Sequence, residues 1–315
     1  MKVKTHDVGS EIHAESGEKL KDVPTAEVVD LASRQGYVLF SGFSPTVEEY
    51  EAFTAQFGTC ANTREVHYPD TGAGLGFHAE DAYNPYRPDS IWFLCAYEGS
   101  DGGVPTAVVD GVELLDHLPP HWQSFCHENR VRFDRQWNAE TWQNAAPVRS
   151  RKELEETLDR IEGVEYQFLP DDSLYIGLEM PLLSRAPDGR ESFSNTILQA
   201  ATDPEYYGMT LADGSPVPEE LLSVAEELAL ARERPVGWST GDVAVIDNLR
   251  MMHRRSEYHQ RDRDLRVRHC EDFFGSKLPD ASTPIAAWAK NLIQGDVDLP
   301  ARVGRPSQTE AVAHA

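Results

Sequence analysis

What this chain has little of narrows its roles before any motif is read. Lysine and arginine number 29 against 53 aspartates and glutamates, a formal net charge of -24 with a pI near 4.8. A field of that sign repels nucleic acid and anionic membrane surfaces, so neither is expected as a partner. Long apolar runs are absent: no stretch approaches the roughly 20 residues that a membrane-spanning helix needs. Met1-Lys2-Val3-Lys4 leads straight into polar residues, so no signal peptide is expected. Cysteine is scarce. Cys60, Cys95, Cys126 and Cys270 stand far apart without metal-ligand spacing, which predicts reduced thiols in a cytoplasmic protein. Repeats and long linkers are missing too, which favours one domain over two for 315 residues.

What is present suits a globular protein with a sizeable core: 40% hydrophobic and 26% charged residues. Residues 1–22 are polar and lack hydrophobic periodicity, so a mobile arm or an edge segment is expected there. A single domain is expected over 23–299 and a flexible tail over 300–315. Helical spacing begins at Pro24-Thr25 with Val28, Val29 and Leu31, and stops at Gly36. A second helix opens at Ser44-Pro45, carries Val47, Tyr50, Phe53 and Phe57, and stops at Gly58. Further helices are expected at 110–117, 151–161, 218–233 and 283–294. Short apolar or alternating runs predict strands at 37–40, 91–95, 106–109, 174–176, 193–198, 243–247 and 265–274, with a turn at Asp101-Gly102-Gly103. Many short strands with helices grouped around them predict an α+β fold whose core is a jelly roll, a double-stranded β-helix flanked by helices.

The chemistry concentrates in two distant stretches, His78-Ala79-Glu80 and Met252-His253-Arg254-Arg255. In a strand, residues i and i+2 share a side, so His78 and Glu80 can reach one ion while Asp81 points away. His253 follows the strand 243–247 and a few turn-like residues that bring it back over the same ion. Two imidazoles and one carboxylate hold one face of iron(II) and leave the other open, as non-haem iron oxygenases require. A lone His-x-Glu carries little weight, because this chain repeats it in His13-Ala14-Glu15 and His269-Cys270-Glu271. Taken alone, His78 reads as a partly buried histidine bonded to a carboxylate. His269 and Glu271 come after the arginine-rich stretch, too late to be the first pair of ligands. His67, His117, His121, His127 and His259 have no carboxylate two residues on.

The ordered context raises the metal reading. Gly36-Tyr37-Val38-Leu39-Phe40-Ser41-Gly42-Phe43 precedes Phe57-Gly58; His78-Ala79-Glu80 follows, with Ala82-Tyr83 and Pro88; then come Gly102-Gly103 with Thr106, and Asn248 before His253. That series, over roughly residues 36–275, resembles the TauD/TfdA superfamily of iron(II)- and 2-oxoglutarate-dependent dioxygenases, and its clavaminate-synthase-like branch in particular. The resemblance implies His78, Glu80 and His253 as ligands of Fe(II), with 2-oxoglutarate and O2 as cosubstrates. It also implies an arginine beyond the second histidine that pairs its guanidinium fork with the far carboxylate of 2-oxoglutarate. Asp262-Arg263-Asp264-Leu265 matches the start of the branch's Asp-Arg-x-Leu-x-Arg and points to Arg263, with Arg266 as the alternative. Strand alternation allows only one of the two to face the metal. Thr106 matches a threonine that relatives use on the cosubstrate, one place later here.

Val267 stands where relatives often place an arginine for a substrate carboxylate, which leaves Arg254 and Arg255 as candidate substrate-binding residues. The implied reaction oxidises, most simply hydroxylates, an unactivated C–H bond of a small amino-acid-like or natural-product substrate, with release of succinate and CO2. Glu80 argues against halogenation, since halogenases of this kind carry a small residue there. Two other readings stay open at this level. Two histidines and a glutamate also suit catalytic zinc in a hydrolase, although the His-Glu-x-x-His spacing is absent. A non-catalytic jelly-roll binding protein would keep the shape without the metal.

Overall fold

The computed structural model describes residues 1–66, 74–83, 87–100, 105–145, 150–237, 239–257 and 263–275, and its central strand is Ser90–Tyr97. The strand's first six residues are buried, so both of its faces meet core. Trp92 and Leu94 pack with Val28, Leu31 and Phe53 on the helices Thr25–Gln35 and Val47–Thr54. Ile91, Phe93 and Cys95 face the other way, against Val108, Val236 and Met251 of a second sheet. The alternation follows from the two-residue period of a strand.

Among the described residues the first sheet has eight strands. Lys2–Thr5, Ser10–His13, Tyr37–Ser41, Val243–Asp247, Ser90–Tyr97, Asp264–Glu271 and Thr59–Cys60 follow one another across it, and Arg64–Glu65 also pairs with Asp264–Glu271. The second sheet runs Arg234–Val236, Thr106–Asp110, Met251–Arg255, Leu75–His78. Its outer face, through Phe77, Val109 and Met252, packs with residues of the helices Gly111–His117, Ile197–Thr202 and Glu219–Arg232. The architecture is therefore mixed α and β, with an apolar layer between two sheets and helices outside both. A third sheet, Val164–Phe168, Leu174–Pro181, Arg130–Trp137, Met209–Leu211, builds a side lobe with its own core around Trp137, Trp142, Leu158 and Ile176.

The punctuation read from sequence has physical counterparts. Gly36 ends the first helix at φ 84°, the left-handed region that glycine enters without a Cβ penalty. The second helix is capped by Thr46, whose hydroxyl accepts from Glu49 N–H while the Glu49 carboxylate accepts from Thr46 N–H. In the polar N-terminal segment, residues 2–5 form the edge strand of the first sheet and residues 10–13 the strand beside it, paired in turn with Tyr37–Ser41. The helix expected at 283–294 and the turn at 101–103 lie outside the described residues.

Two expectations are corrected. Residues 193–198 are not a strand. Asn195 Oδ1 accepts from Ile197 N–H (3.1 Å), Thr196 Oγ1 donates to Ala79 O (2.8 Å), and a helix begins at Ile197. A side chain that bonds backbone two residues on, as Asn195 does, competes with a ladder, and here it wins. Cys60 and Cys270, expected as free thiols, form a disulfide. They are 210 residues apart in sequence but directly opposed in the antiparallel pair of Thr59–Cys60 with Asp264–Glu271. Cys95 and Cys126 are free and buried. Among the described residues, no helix is long and apolar enough to cross a membrane.

Candidate metal centre

The centre is built on a cross-strand pair. His78 ends the strand Leu75–His78 and stands directly opposite His253 on the antiparallel strand Met251–Arg255. Opposed residues of an antiparallel pair present their side chains on one face, and the two imidazoles meet with ring centroids 4.2 Å apart. His253 thus sits on a strand rather than after a turn. Glu80, expected on the strand two residues beyond His78, lies past the strand end in a turn that continues through Asp81 at φ 56°. The turn folds the carboxylate back: Glu80 Oε2 lies 3.6 Å from His78 Nε2 and 3.8 Å from His253 Nε2. Ligand atoms of His78, Glu80 and His253 all lie within 4.8 Å of one another, close enough for one ion.

The backbone of this turn is held on each side. Ala79 N–H donates to Asn195 O (2.8 Å), and Ala79 O accepts from Thr196 Oγ1 (2.8 Å). The fully buried carboxamide of Asn248 takes Glu80 like a short strand: its Oδ1 accepts from Glu80 N–H (2.8 Å) and its Nδ2 donates to Glu80 O (2.8 Å). Nδ2 also donates to Pro88 O (2.7 Å). Asn248 lies in the turn that leads into the His253 strand, so one side chain ties both halves of the ligand set together.

The donor set fits a divalent metal. His78 Nδ1 lies 2.8 Å from Gly76 O, an acceptor, so Nδ1 carries the proton and the Nε2 lone pair faces Glu80. Burial, with the His78 ring alongside, pushes the His253 imidazolium down to about 3, which leaves the ring neutral and able to ligate at pH 7. Burial opposes the charge on Glu80, but the imidazoles of His269, His78 and His253 outweigh it and hold the carboxyl well below its usual range. Two imidazole nitrogens and one carboxylate oxygen suit iron(II), with positions left over.

A cavity of about 600 Å³ opens beside these three residues, within the roughly 300–1,000 Å³ usual for small-molecule sites. Arg263 and Thr106, both buried, line it, as do the apolar residues Val66, Leu75, Phe93, Leu265 and Val267. Arg266 does not. Alternation turns it to the outer face of the strand Asp264–Glu271, where it pairs with Asp264 (Nε to Oδ1, 2.6 Å) and Glu65 (3.6 Å). Arg254 and Arg255 both border the cavity, but they differ. Arg254 alternates with His253, lays its guanidinium 5.3 Å from the Phe77 ring centroid, and binds both oxygens of Glu233 at 2.5 and 2.7 Å. Arg255 has the parity of His253 and opposes Thr106 across the strand pair.

Two residues passed over in the sequence also approach the centre. His269 Nε2 stands 3.4 Å from Glu80 Oε1, and Arg64 Nη2 is 3.2 Å from the same oxygen. Nothing local marks them: Arg64–Glu65 is a two-residue strand, and His269 belongs to a His-x-Glu whose glutamate, among the described residues, shares no metal-competent group with it.

Two histidines and one carboxylate that could hold one ion, beside a cavity that an arginine lines, are the arrangement used by non-haem iron(II) oxygenases. The comparisons agree. A family model described as taurine catabolism dioxygenase TauD, TfdA family, matches residues 4–270, and the chain belongs to that family. Its fold is similar to that of PvcB from Pseudomonas aeruginosa, with a TM-score of 0.57 and 14% identity over 84% of this chain and 86% of that one. It is also similar to AAD-2 in complex with Mn(II) and N-oxalylglycine, with a TM-score of 0.58 and 18% identity over 85% and 96% of the two chains. A taurine dioxygenase from Burkholderia xenovorans aligns with a TM-score of 0.56 and 17% identity over 85% and 88%. Among curated protein sequences, none matches this chain. The enzyme is a dioxygenase whose cofactor and cosubstrates are Fe(II), 2-oxoglutarate and O2.

Proposed function

We propose that the chain oxidises, most simply hydroxylates, an unactivated C–H bond of a small amino-acid-like or natural-product molecule, with His78, Glu80 and His253 as the metal ligands. The observation that carries this reading is the convergence of His78 Nε2, His253 Nε2 and Glu80 Oε2 on one wall of a cavity whose lining also includes Arg263 and Thr106. Iron(II) with 2-oxoglutarate and O2 supplies the oxidation, and succinate and CO2 leave. Arg263 binds the far carboxylate of 2-oxoglutarate through its guanidinium fork, the geometry for which arginine is suited. Thr106 offers that carboxylate a hydroxyl donor. Arg255, on the ligand face, holds an anionic group of the substrate, while Arg254 is engaged by Glu233 on the other side. Phe93, Leu265 and Val267 keep water from the reacting carbon and accept an aliphatic stem. The two-sheet core that carries these residues is read as a jelly roll. Its apolar inner layer includes Phe93, Leu265 and Val267, which line the cavity. A zinc hydrolase would leave Arg263 and Thr106 without a role in the cavity.

The test is turnover of the iron-loaded enzyme with 2-oxoglutarate, scored as succinate, against a panel of free amino acids and their N-acylated forms. Succinate formed in a 1:1 ratio with an oxygenated product supports the reading. Absence of succinate throughout, with hydrolysis of an ester or amide by the zinc-loaded protein, overturns it.

A further inference from the structure

The two oxygens of Glu80 have different surroundings. Oε2 faces the two histidines of the centre, while Oε1 is turned outward to Arg64 Nη2 (3.2 Å) and His269 Nε2 (3.4 Å). Arg64 Nη2 also lies 3.1 Å from His269 Nε2. A guanidinium has only donors, so His269 Nε2 accepts from Arg64 and the ring proton sits on Nδ1. Nδ1 is 3.6 Å from Asp81 Oδ2, a buried oxygen with no hydrogen-bond partner of its own. The groups run in one order: the Asp81 carboxylate faces the His269 ring, His269 receives Arg64, and Arg64 donates to the outer oxygen of Glu80. His269 and Asp81 are buried, at 7% and 5% exposure, so the chain is anchored at its inner end.

We propose that His269 is a positioning residue which, through Arg64, holds Glu80 Oε1 away from the metal so that the carboxylate ligates through Oε2 alone. The inference rests on the reading of His78, Glu80 and His253 as ligands. A carboxylate free to rotate can chelate through both oxygens, and the second oxygen would fill a position that cosubstrate or O2 needs. Ligand atoms of Glu80, Asp81 and His269 also lie within 4.8 Å of one another. They are not read as a second metal site, because the Arg64 guanidinium already supplies the positive charge between Glu80 and His269.

Anaerobic titration of the metal-free protein with cobalt(II), read as stoichiometry, affinity and visible d–d absorption, tests the proposal. Wild type binds one equivalent. His269→Ala still binds one equivalent, about 10–100-fold more weakly as expected for loss of a ligand's support, with its d–d bands moved to the weaker pattern of higher coordination. His269→Gln, which keeps an acceptor oxygen near the Nε2 position, restores the wild-type bands. A role confined to packing would lower thermal stability and leave the bands in place. Should His269→Ala fail to fold, Arg64→Met, on a side chain 56% exposed, carries the same expectation. Unchanged bands and affinity in the folded variant overturn the proposal, and so does a second equivalent in wild type that His269→Ala removes. The same titration of His78→Ala separates the levels: wild-type binding there overturns the ligand reading itself.

Discussion

The tripeptides His78-Ala79-Glu80 and His269-Cys270-Glu271 share one pattern and have different fates. The first straddles a strand end. His78 meets His253 across the ladder, and Glu80 turns back over both. The second lies wholly within the strand Asp264–Glu271. There His269 comes within 3.4 Å of Glu80, Cys270 turns to the outer face and bonds Cys60, and Glu271 shares no metal-competent group with His269 among the described residues. The lesson is that the spacing does not make the ligand pair. A strand that ends between its two members, opposite a second histidine, does.

The contrast between the two tripeptides, and between the two faces of the strand, can be tested one residue at a time. His253→Ala removes the cross-strand partner and is expected to lower turnover about 10³-fold, about 4 kcal/mol at 1.36 kcal/mol per decade. Glu271→Gln, in the other tripeptide, is expected to change iron(II) affinity by less than the roughly tenfold that a supporting partner costs, measured in the same titration. Cys270→Ser tests the middle residue. Loss of a disulfide spanning 210 residues of sequence is expected to cost about 3 kcal/mol in a denaturant melt, with iron affinity changed far less than in His269→Ala. The contrast between the faces of the strand is sharpened by Arg263→Ala and Arg266→Ala. The first is expected to raise the KM for 2-oxoglutarate about 100-fold, about 2.7 kcal/mol, while the second stays within about threefold, as a partly exposed ion pair away from the cavity implies. Asn248→Ala frees the backbone of Glu80 and is expected to weaken iron binding about tenfold, checked by equilibrium dialysis.

Much of this was legible in the sequence, and what was hidden shares one cause. The helices behind the first sheet, the central strand and the strand 243–247 carried their own periodicity and stops. His78, Glu80, His253 and Arg263 stood out by residue type and order. Register was invisible. It pairs His78 with His253, sets Cys60 against Cys270, and brings Arg64 beside Val267 and so near His269. Each of these partners lies far away in sequence, and no local pattern encodes the match. The strand Arg130–Trp137 was hidden for another reason. Its alternate residues Arg132 and Asp134 are charged, and the buried Arg132 is accommodated by pairing with Asp134, Glu165 and Glu179 at 2.9, 2.9 and 3.3 Å. Composition alone reads such a segment as solvent-exposed. Residues 193–198 failed in the opposite sense, since apolar residues suggested a strand while Asn195 bonds Ile197 N–H two residues on, and Ser194 and Thr196 bond the distant backbone oxygens of Asn248 and Ala79.

The central claim is that the His78–His253 pair and Glu80 form an iron site that accepts 2-oxoglutarate. Anaerobic addition of iron(II) and 2-oxoglutarate to the metal-free protein, followed by visible absorption in wild type and His78→Ala, tests it most directly. A weak charge-transfer band that requires both additions and is absent from the variant is expected. No band in wild type, or the same band in His78→Ala, would contradict it.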